Sequence, residues 1–283
     1  DCRALSSAPI VLGGAGYSIF PEALLDYLAA DMGIQGEGES AFCELLSHMK
    51  HQGDLSLVPG LFLAGRGAQG KRVFANDLDR LPLPSPSMLS LEPTGEDFWL
   101  PVQTRRGCPL HCSYCSTPTI EGSVVRQRSP QRVIGWLQDW VAAGMRRFYF
   151  VDNTFNLPLS YAKGLCREMI GSVPNIVWRC ILYPGMIDEE LVSLMADAGC
   201  REVSLGFESG SQLILRGMNK RFSADDVRKA AKALADHGIR RMGFLMLGGP
   251  GETKESALES LAYADSLDLD VVKITVGIRI YPY

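Results

Sequence analysis

From residue 101 onward, short apolar runs recur about every thirty residues, each followed by an amphipathic stretch. Strands are expected at 101–106, 146–151, 176–181, 201–207, 240–247 and 270–280. Helices fill the gaps at Pro130–Ala143, Tyr161–Ile170, Asp188–Asp197, Ala224–His237 and Thr253–Leu267. Gly144, Gly199 and Gly238 follow three of these helices, where a left-handed C-cap is needed. Such alternation forces a parallel sheet, because each helix carries the chain back to the end where the last strand began. A complete eight-unit barrel takes about 250 residues, so residues 101–283 hold about six units. The expectation is an α/β fold, a partial (β/α)6 TIM-type barrel, open on one side, with its cavity at the C-terminal ends of the strands.

Upstream the pattern differs. Pro9 to Gly14 reads as a short strand ending in glycines, and Pro21 to Ala30 as a helix with proline in its first turn. Asp31 to Gly36 can form a second strand, closed by Gly36-Glu37-Gly38-Glu39, and Ser40 to Lys50 a second helix. This is the repeating unit of a doubly wound sheet, here only about one and a half units, the C-terminal part of a Rossmann-like domain. Residues 57–77 read as a small hairpin region. Three prolines between Leu81 and Pro86 cannot lie in a helix or a central strand, so an extended linker is expected. The expected organisation is residues 1–80, a linker at 81–100, and a barrel at 101–283. With no initiator Met, and an end just after an apolar run, the sequence reads as a piece of a longer protein.

The 283 residues are 46% hydrophobic and 21% charged, with a net charge of −4. This excludes a disordered chain and disfavours broad electrostatic binding to nucleic acid. The start lacks a signal peptide, and no apolar run is long enough to span a membrane.

Eight cysteines lie at 2, 43, 108, 112, 115, 166, 180 and 200. The scattered ones read as buried small hydrophobes or inert thiols. Three crowd into Cys108-Pro109-Leu110-His111-Cys112-Ser113-Tyr114-Cys115, a C-x3-C-x2-C spacing after the first barrel strand. Thiolates suit iron–sulfur clusters or zinc, and such a site implies a reducing, cytoplasmic setting. Closed zinc sites and ordinary electron-transfer clusters want four ligands. His111 is the available fourth, although a loop role suits it better. Three thiolates on four irons would leave one iron open to a chelating substrate.

This spacing, with an aromatic residue directly before the last cysteine, resembles the radical SAM superfamily signature, and the resemblance covers roughly residues 101–283. It implies that Cys108, Cys112 and Cys115 hold a [4Fe–4S] cluster. The open iron would bind S-adenosylmethionine through its amino and carboxylate groups, and an electron would cleave it to a 5′-deoxyadenosyl radical. Tyr114 would lie against the adenine. The family's Gly-Gly-Glu-like motif is replaced after the second strand by Val151-Asp152-Asn153-Thr154-Phe155-Asn156. Asp152 and Asn153 are the candidates for the amino group there, with an Asx turn as the competing explanation. Glu208 and Ser209 end the fourth strand, Glu208 as a ribose hydroxyl acceptor and Ser209 alternatively as a helix cap. Arg179 is either a partner of the SAM carboxylate or merely an arginine ending a strand. Leu247, Gly248 and Gly249, in a Gly-rich turn, match the stretch that lies along adenine. Arg279, Tyr281 and Pro282 end the sixth strand without an assigned role.

The order of Gly13-Gly14, then Gly36-Glu37-Gly38-Glu39, then a Pro-rich linker and a three-cysteine barrel resembles the cobalamin-binding class of that superfamily. By this resemblance Gly13, Gly14, Glu37 and Gly38 face cobalamin. The Asp-x-His-x-x-Gly motif of members that ligate cobalt through histidine is absent, and His48 and His51 lie on a helix without that context. The implied activity is a cobalamin-dependent C-methyltransferase. It would act on a small-molecule, lipid or peptide substrate, with flavodoxin or ferredoxin as reductant. The alternatives are a non-methylating radical SAM enzyme (cyclase, oxidoreductase or methylthiotransferase) and a non-catalytic Fe–S or zinc-binding module.

Overall fold

The structure is a computed structural model that describes residues 2–88 and 98–277. Its elements begin with α1 (Cys2–Leu5), β1 (Val11–Leu12), α2 (Gly14–Ile19), α3 (Pro21–Leu28), β2 (Met32–Ile34), α4 (Gly38–His51), β3 (Leu61–Leu63) and β4 (Gly67–Ala68). Then come β5 (Leu100–Val102), β6 (Arg105–Arg106), α5 (Thr117–Glu121), β7 (Arg126–Gln127), α6 (Pro130–Ala142), β8 (Arg147–Phe150) and α7 (Leu159–Ser172). The last are β9 (Val177–Leu182), α8 (Glu189–Asp197), β10 (Cys200–Glu208), α9 (Gln212–Gly217), α10 (Ala224–Asp236), β11 (Arg240–Leu247), α11 (Lys254–Ser266) and β12 (Val271–Val276). Backbone contacts divide the chain into two compact units. The first is Asp1–Leu81 with Arg106–Pro109 and Cys115–Arg126; the second is Pro82–Arg105 with Leu110–Tyr114 and Gln127–Tyr283.

In the first unit β1 and β2 are parallel, as the βα unit requires. β3 then returns antiparallel to β2 and forms the expected hairpin with β4. Helix α4 covers one face through Ala41 and Leu45, over Ile34 and Leu61. The other face is covered by Tyr17 of α2 and Leu25 of α3, over Phe62. Gly33 makes room for Tyr17, since a Cβ there would lie 2.1 Å from the ring. Burial pushes the Tyr17 hydroxyl up to about 12. The helix α2 was not expected. It ends at Phe20, because the residue before Pro21 is driven out of helical geometry, and Pro21 then opens α3.

In the second unit the six strands lie in the order β12-β11-β10-β9-β8-β5, each pair parallel. Sequential strands are neighbours throughout, which is the winding of a barrel rather than of a doubly wound sheet. The expected helices are present. Asp188, Ser223 and Thr253 act as their N-caps, each accepting a hydrogen bond from a first-turn backbone N–H. Gly144, Gly199 and Gly238 have φ of +95°, +95° and +66°, as the C-caps demand. The short helices α5 and α9 carry too few residues to show a period and were not read from the sequence. Trp136 and Trp140 both donate through Nε1 to the Pro84 carbonyl at 2.7 and 3.2 Å, so this part of the proline segment is tied down. Residues 89–97 of the linker, and Arg279, Tyr281 and Pro282, lie outside the described residues.

The core between sheet and helices centres on Phe150, which meets Phe155 and Trp178 edge-on at 5.3 and 5.0 Å. Phe150→Ala is expected to lower unfolding free energy by about 3–5 kcal/mol. Leu213→Ala, at a residue 71% exposed, should change it by less than about 0.5 kcal/mol. Urea denaturation midpoints compare the two.

Candidate active site

The three-cysteine loop follows β5 and β6. Cys108 is buried, Cys112 half-buried and Cys115 exposed. Each part of the loop is anchored through its backbone. In the first unit, Cys108 N donates to Gly122 O at 3.1 Å, and Gly107 N to the Glu121 carboxylate at 3.0 Å. In the second unit, Ser113 N donates to Met218 O at 3.2 Å, and Asn219 Nδ2 to His111 O at 2.8 Å. His111 itself is exposed, with φ +51°, which suits its expected role as a loop residue. Cys166, Cys180 and Cys200 are buried, and burial pushes the Cys180 thiol well up, as expected of inert thiols. Cys2 and Cys43 are exposed instead. Cys2 lies on α1, which buries none of its residues, and Cys43 on the outer side of α4, which buries Ala41 and Leu45 instead.

Among the described residues no three His, Cys, Asp or Glu side chains are gathered as a metal site. The fit to an iron–sulfur cluster therefore rests on donor chemistry and on the anchored loop. Three soft thiols lie within eight residues, and both ends of their loop are held by backbone hydrogen bonds.

The end of β8 corrects one expectation. Asp152 is 1% exposed, and its carboxylate accepts from Thr104 N, Thr104 Oγ1, Arg105 N, Arg105 Nε and Arg105 Nη2 at 2.6–3.2 Å. With both oxygens taken up, Asp152 holds the strand end that leads into the cysteine loop rather than a ligand amino group. Arg105 is fixed further by the Phe155 carbonyl at 2.5 Å and lies between the Phe155 and Tyr161 rings. Asn153 is half-buried beside Asp152. Asn156, overlooked in the sequence, donates to the Tyr183 and Met186 carbonyls and accepts from Tyr183 N, joining this turn to the end of β9.

Arg179 is also reassigned. It lies in mid-strand, stacked on Trp99 and Tyr149 at 4.5 and 4.7 Å, with Glu202 at 3.5 Å. The register sets Tyr149, Arg179, Glu202 and Arg240 side by side across four strands. A strand rises about 3.3 Å per residue, so Arg179 is roughly 10 Å short of the β9 C-terminus. It belongs to a charged row crossing the sheet, in which burial pushes the Tyr149 hydroxyl above its ordinary range.

At the end of β10, Glu208 has φ +63°, a left-handed backbone that is rare for a residue with a side chain, and the ladder to β11 shifts register just before it. Glu208 Oε1 accepts from Tyr114 Oη at 2.8 Å and from Lys220 Nζ at 3.2 Å. Tyr114 and Glu208 are thus brought together. Lys220 was missed, because no spacing links it to either. Ser209 is fully buried; its hydroxyl pairs with Ser260 Oγ at 2.8 Å and accepts from Ser211 N. Ser211, not Ser209, is the N-cap of α9. Ser209 therefore fixes the turn.

Leu247, at the end of β11, accepts from Gly277 N at 2.7 Å. Gly248 has φ +95° and donates its N–H to the Glu252 carboxylate. A Cβ on Gly249 would lie 2.5 Å from Met218 Cε and 3.2 Å from Ile214 Cγ2, so a larger residue there would have to displace these side chains of α9 and its end.

In the first unit, Gly13 and Gly14 are exposed at the start of α2, and Gly38 opens α4. Glu37 is committed elsewhere. Its carboxylate accepts from Arg126 at 2.7 Å and Ala75 N at 2.7 Å, and pairs with Arg106 at 3.2 Å. These bonds brace the segment leading to Cys108, which leaves Glu37 unsuited as a cobalamin contact.

The model of the radical SAM superfamily matches residues 102–264, and the chain belongs to that superfamily. The family's cofactors, a [4Fe–4S] cluster and S-adenosylmethionine, come with this membership. An uncharacterised methyltransferase of Pyrococcus horikoshii is 28% identical over 97% of this chain and 62% of its own length. Tryptophan 2-C-methyltransferase of Streptomyces laurentii is 25% identical over all of this chain and 58% of its own. Among solved structures, the radical S-adenosylmethionine methyltransferase TsrM from Kitasatospora setae, with tryptophan and a SAM analogue bound, superposes with a TM-score of 0.88. It is 26% identical over 99% of this chain and 57% of that one. The same enzyme is also solved with cobalamin and a [4Fe–4S] cluster bound. The chain spans about three-fifths of the length of these relatives. Among the described residues no helix is long and apolar enough to cross a membrane.

Asp152→Ala would strand the Arg105 guanidinium in the interior, at an expected cost of about 3–5 kcal/mol. Adding Arg105→Met should recover part of that loss, because the unpaired charge leaves the interior while the Thr104 and Arg105 N–H groups still lack their acceptor. Chemical denaturation of the two variants measures the difference.

Proposed function

We propose that this protein is a cobalamin-dependent radical SAM C-methyltransferase. The observation that carries the reading is the pairing of Tyr114, inside the cysteine motif, with Glu208 at the end of β10. It joins the loop expected to hold the cluster to a strand end expected to hold the nucleoside. In this reading Cys108, Cys112 and Cys115 ligate the [4Fe–4S] cluster. Glu208 accepts ribose hydroxyls, and Leu247, Gly248 and Gly249 border the adenine. Asn153 remains the candidate near the SAM amino group. The first unit serves cobalamin binding, with Gly13, Gly14 and Gly38 toward that cofactor. Support comes from the solved methyltransferase with cobalamin bound, which matches nearly the whole of this chain. When bound, the cluster supplies the electron that cleaves S-adenosylmethionine, and cobalamin carries the transferred methyl group. The substrate is a small molecule, lipid or peptide, and the reductant a flavodoxin or ferredoxin. The net negative charge tells against nucleic acid.

The test is mass spectrometry of SAM products after anaerobic reconstitution of the full-length protein with iron, sulfide, cobalamin and a reductant. 5′-Deoxyadenosine together with S-adenosylhomocysteine is expected, and Cys112→Ala should abolish both. 5′-Deoxyadenosine alone would point to a non-methylating member. Neither product, from protein with its full iron content, would overturn the reading.

A further inference from the structure

Arg179 stands too far down its strand to meet S-adenosylmethionine, yet it is not satisfied where it lies. Its guanidinium stacks on the Trp99 and Tyr149 rings at 4.5 and 4.7 Å. Rings take up the faces of a guanidinium and leave its N–H groups, which lie in the plane, for other partners. Among the described residues the partner is Glu202, whose Oε1 lies 3.5 Å from Arg179 Nη1. Glu202 Oε2 faces Arg240 Nη1 at 3.7 Å. Both distances exceed the roughly 2.7–2.9 Å of a charge-assisted hydrogen bond. Arg179 Nε is buried and has no hydrogen-bond partner. Two guanidiniums thus share one loosely held carboxylate, and the row has surplus positive charge. The Arg179 side chain is 31% exposed and that of Arg240 57%, so a group from outside can reach both.

The row lies on the face of the sheet that the helices do not cover. Trp178, Cys180 and Leu182 alternate with Arg179 and are buried in the core shared with the helices, as are Phe148, Phe150, Val203 and Leu205. Side chains alternate along a strand, so Tyr149, Arg179 and Glu202 lie on the opposite, inner face. The next inner-face row is about 7 Å nearer the strand C-termini, at about 3.3 Å per residue. There the register aligns Ile181, Ser204, Met242 and Val271. Ile181, Met242 and Val271 are only half-buried. The interior of a closed barrel is filled by layers of side chains. Here a positively charged row borders a partly exposed apolar one.

We propose that this inner face binds an apolar carboxylic acid. Its carboxylate joins Arg179 and Arg240, and its hydrocarbon body lies on Ile181, Met242 and Val271. A second carboxylate beside Glu202 would balance the two guanidiniums and give each a full partner, since a carboxylate matches the edge of a guanidinium. Burying the body against the apolar row adds the hydrophobic contribution. The site is built within the sheet alone and does not rest on the reading of the cysteine loop.

The test is equilibrium dialysis of labelled octanoate, which carries both parts, against the full-length reconstituted protein at constant ionic strength. Saturable binding of about one octanoate per chain is expected, and Arg179→Gln should weaken it about tenfold, the worth of a charge-assisted hydrogen bond. Arg240→Gln, at an exposed position that tolerates substitution, should weaken it in the same direction, and it decides the matter if Arg179→Gln does not fold. Acetate lacks the body and 1-octanol the charge, so each should displace octanoate only at concentrations about tenfold higher or more. The absence of saturable binding would overturn the proposal. So would binding unchanged in the folded variants, or 1-octanol displacing as well as unlabelled octanoate does.

Discussion

The cysteine loop depends on a buried carboxylate some forty residues downstream. Asp152 takes two backbone N–H groups, one hydroxyl and two guanidinium nitrogens from Thr104 and Arg105, with both ion-pair partners at most 3% exposed. Breaking such a pair is expensive, whereas exchanging it whole for apolar side chains is often nearly neutral. Its worth is therefore geometric more than energetic. It fixes where the chain leaves the first strand of the barrel sheet, two residues before Gly107 and three before Cys108. Arg105 extends the same hold to the Phe155 and Leu157 carbonyls, so the turn after β8 and the segment after β5 share one anchor.

A comparable economy operates in the first unit. Glu37 was read as a cofactor contact because it lies in a glycine-rich loop after a strand. Its oxygens instead bind Arg126, Ala75 and Arg106, and Glu39 pairs with Arg106 at 2.5 Å. Arg126 also donates to the Ala75 and Glu121 carbonyls. The two arginines flank the stretch containing Cys108 and Cys115, so the glycine-rich loop is the brace of that stretch. Of the glycines around it, Gly14 is exposed and Gly38 half-buried, and a Cβ at either would meet no atom within 4 Å.

The barrel was legible because its signals are repeated and local. Apolar runs, capping residues such as Asp188 and Thr253, and C-cap glycines such as Gly199 recur at each unit, so an error in one is corrected by its neighbours. The cysteine spacing was legible because it is contiguous. What could not be read was the direction of individual polar side chains. Asp152, Ser209 and Arg179 were assigned to a ligand because they lie on or near strand ends, yet each is occupied by neighbours far away in sequence: Thr104, Ser260 and Trp99. Lys220 was missed for the converse reason, since its tie to Glu208 is made by the fold and not by any spacing. Glu208 itself was found from its place at a strand end, and its left-handed backbone is visible only in three dimensions.

The central claim is that Cys108, Cys112 and Cys115 hold a four-iron cluster whose open iron meets S-adenosylmethionine beside Glu208. Iron and sulfide analysis joined to Mössbauer spectroscopy of the anaerobically reconstituted protein tests it most directly. The account predicts about four irons and four sulfides per chain, with one iron site changing its spectrum when S-adenosylmethionine is added. Zinc in place of iron, or a full cluster with no iron site responding to S-adenosylmethionine, would contradict it.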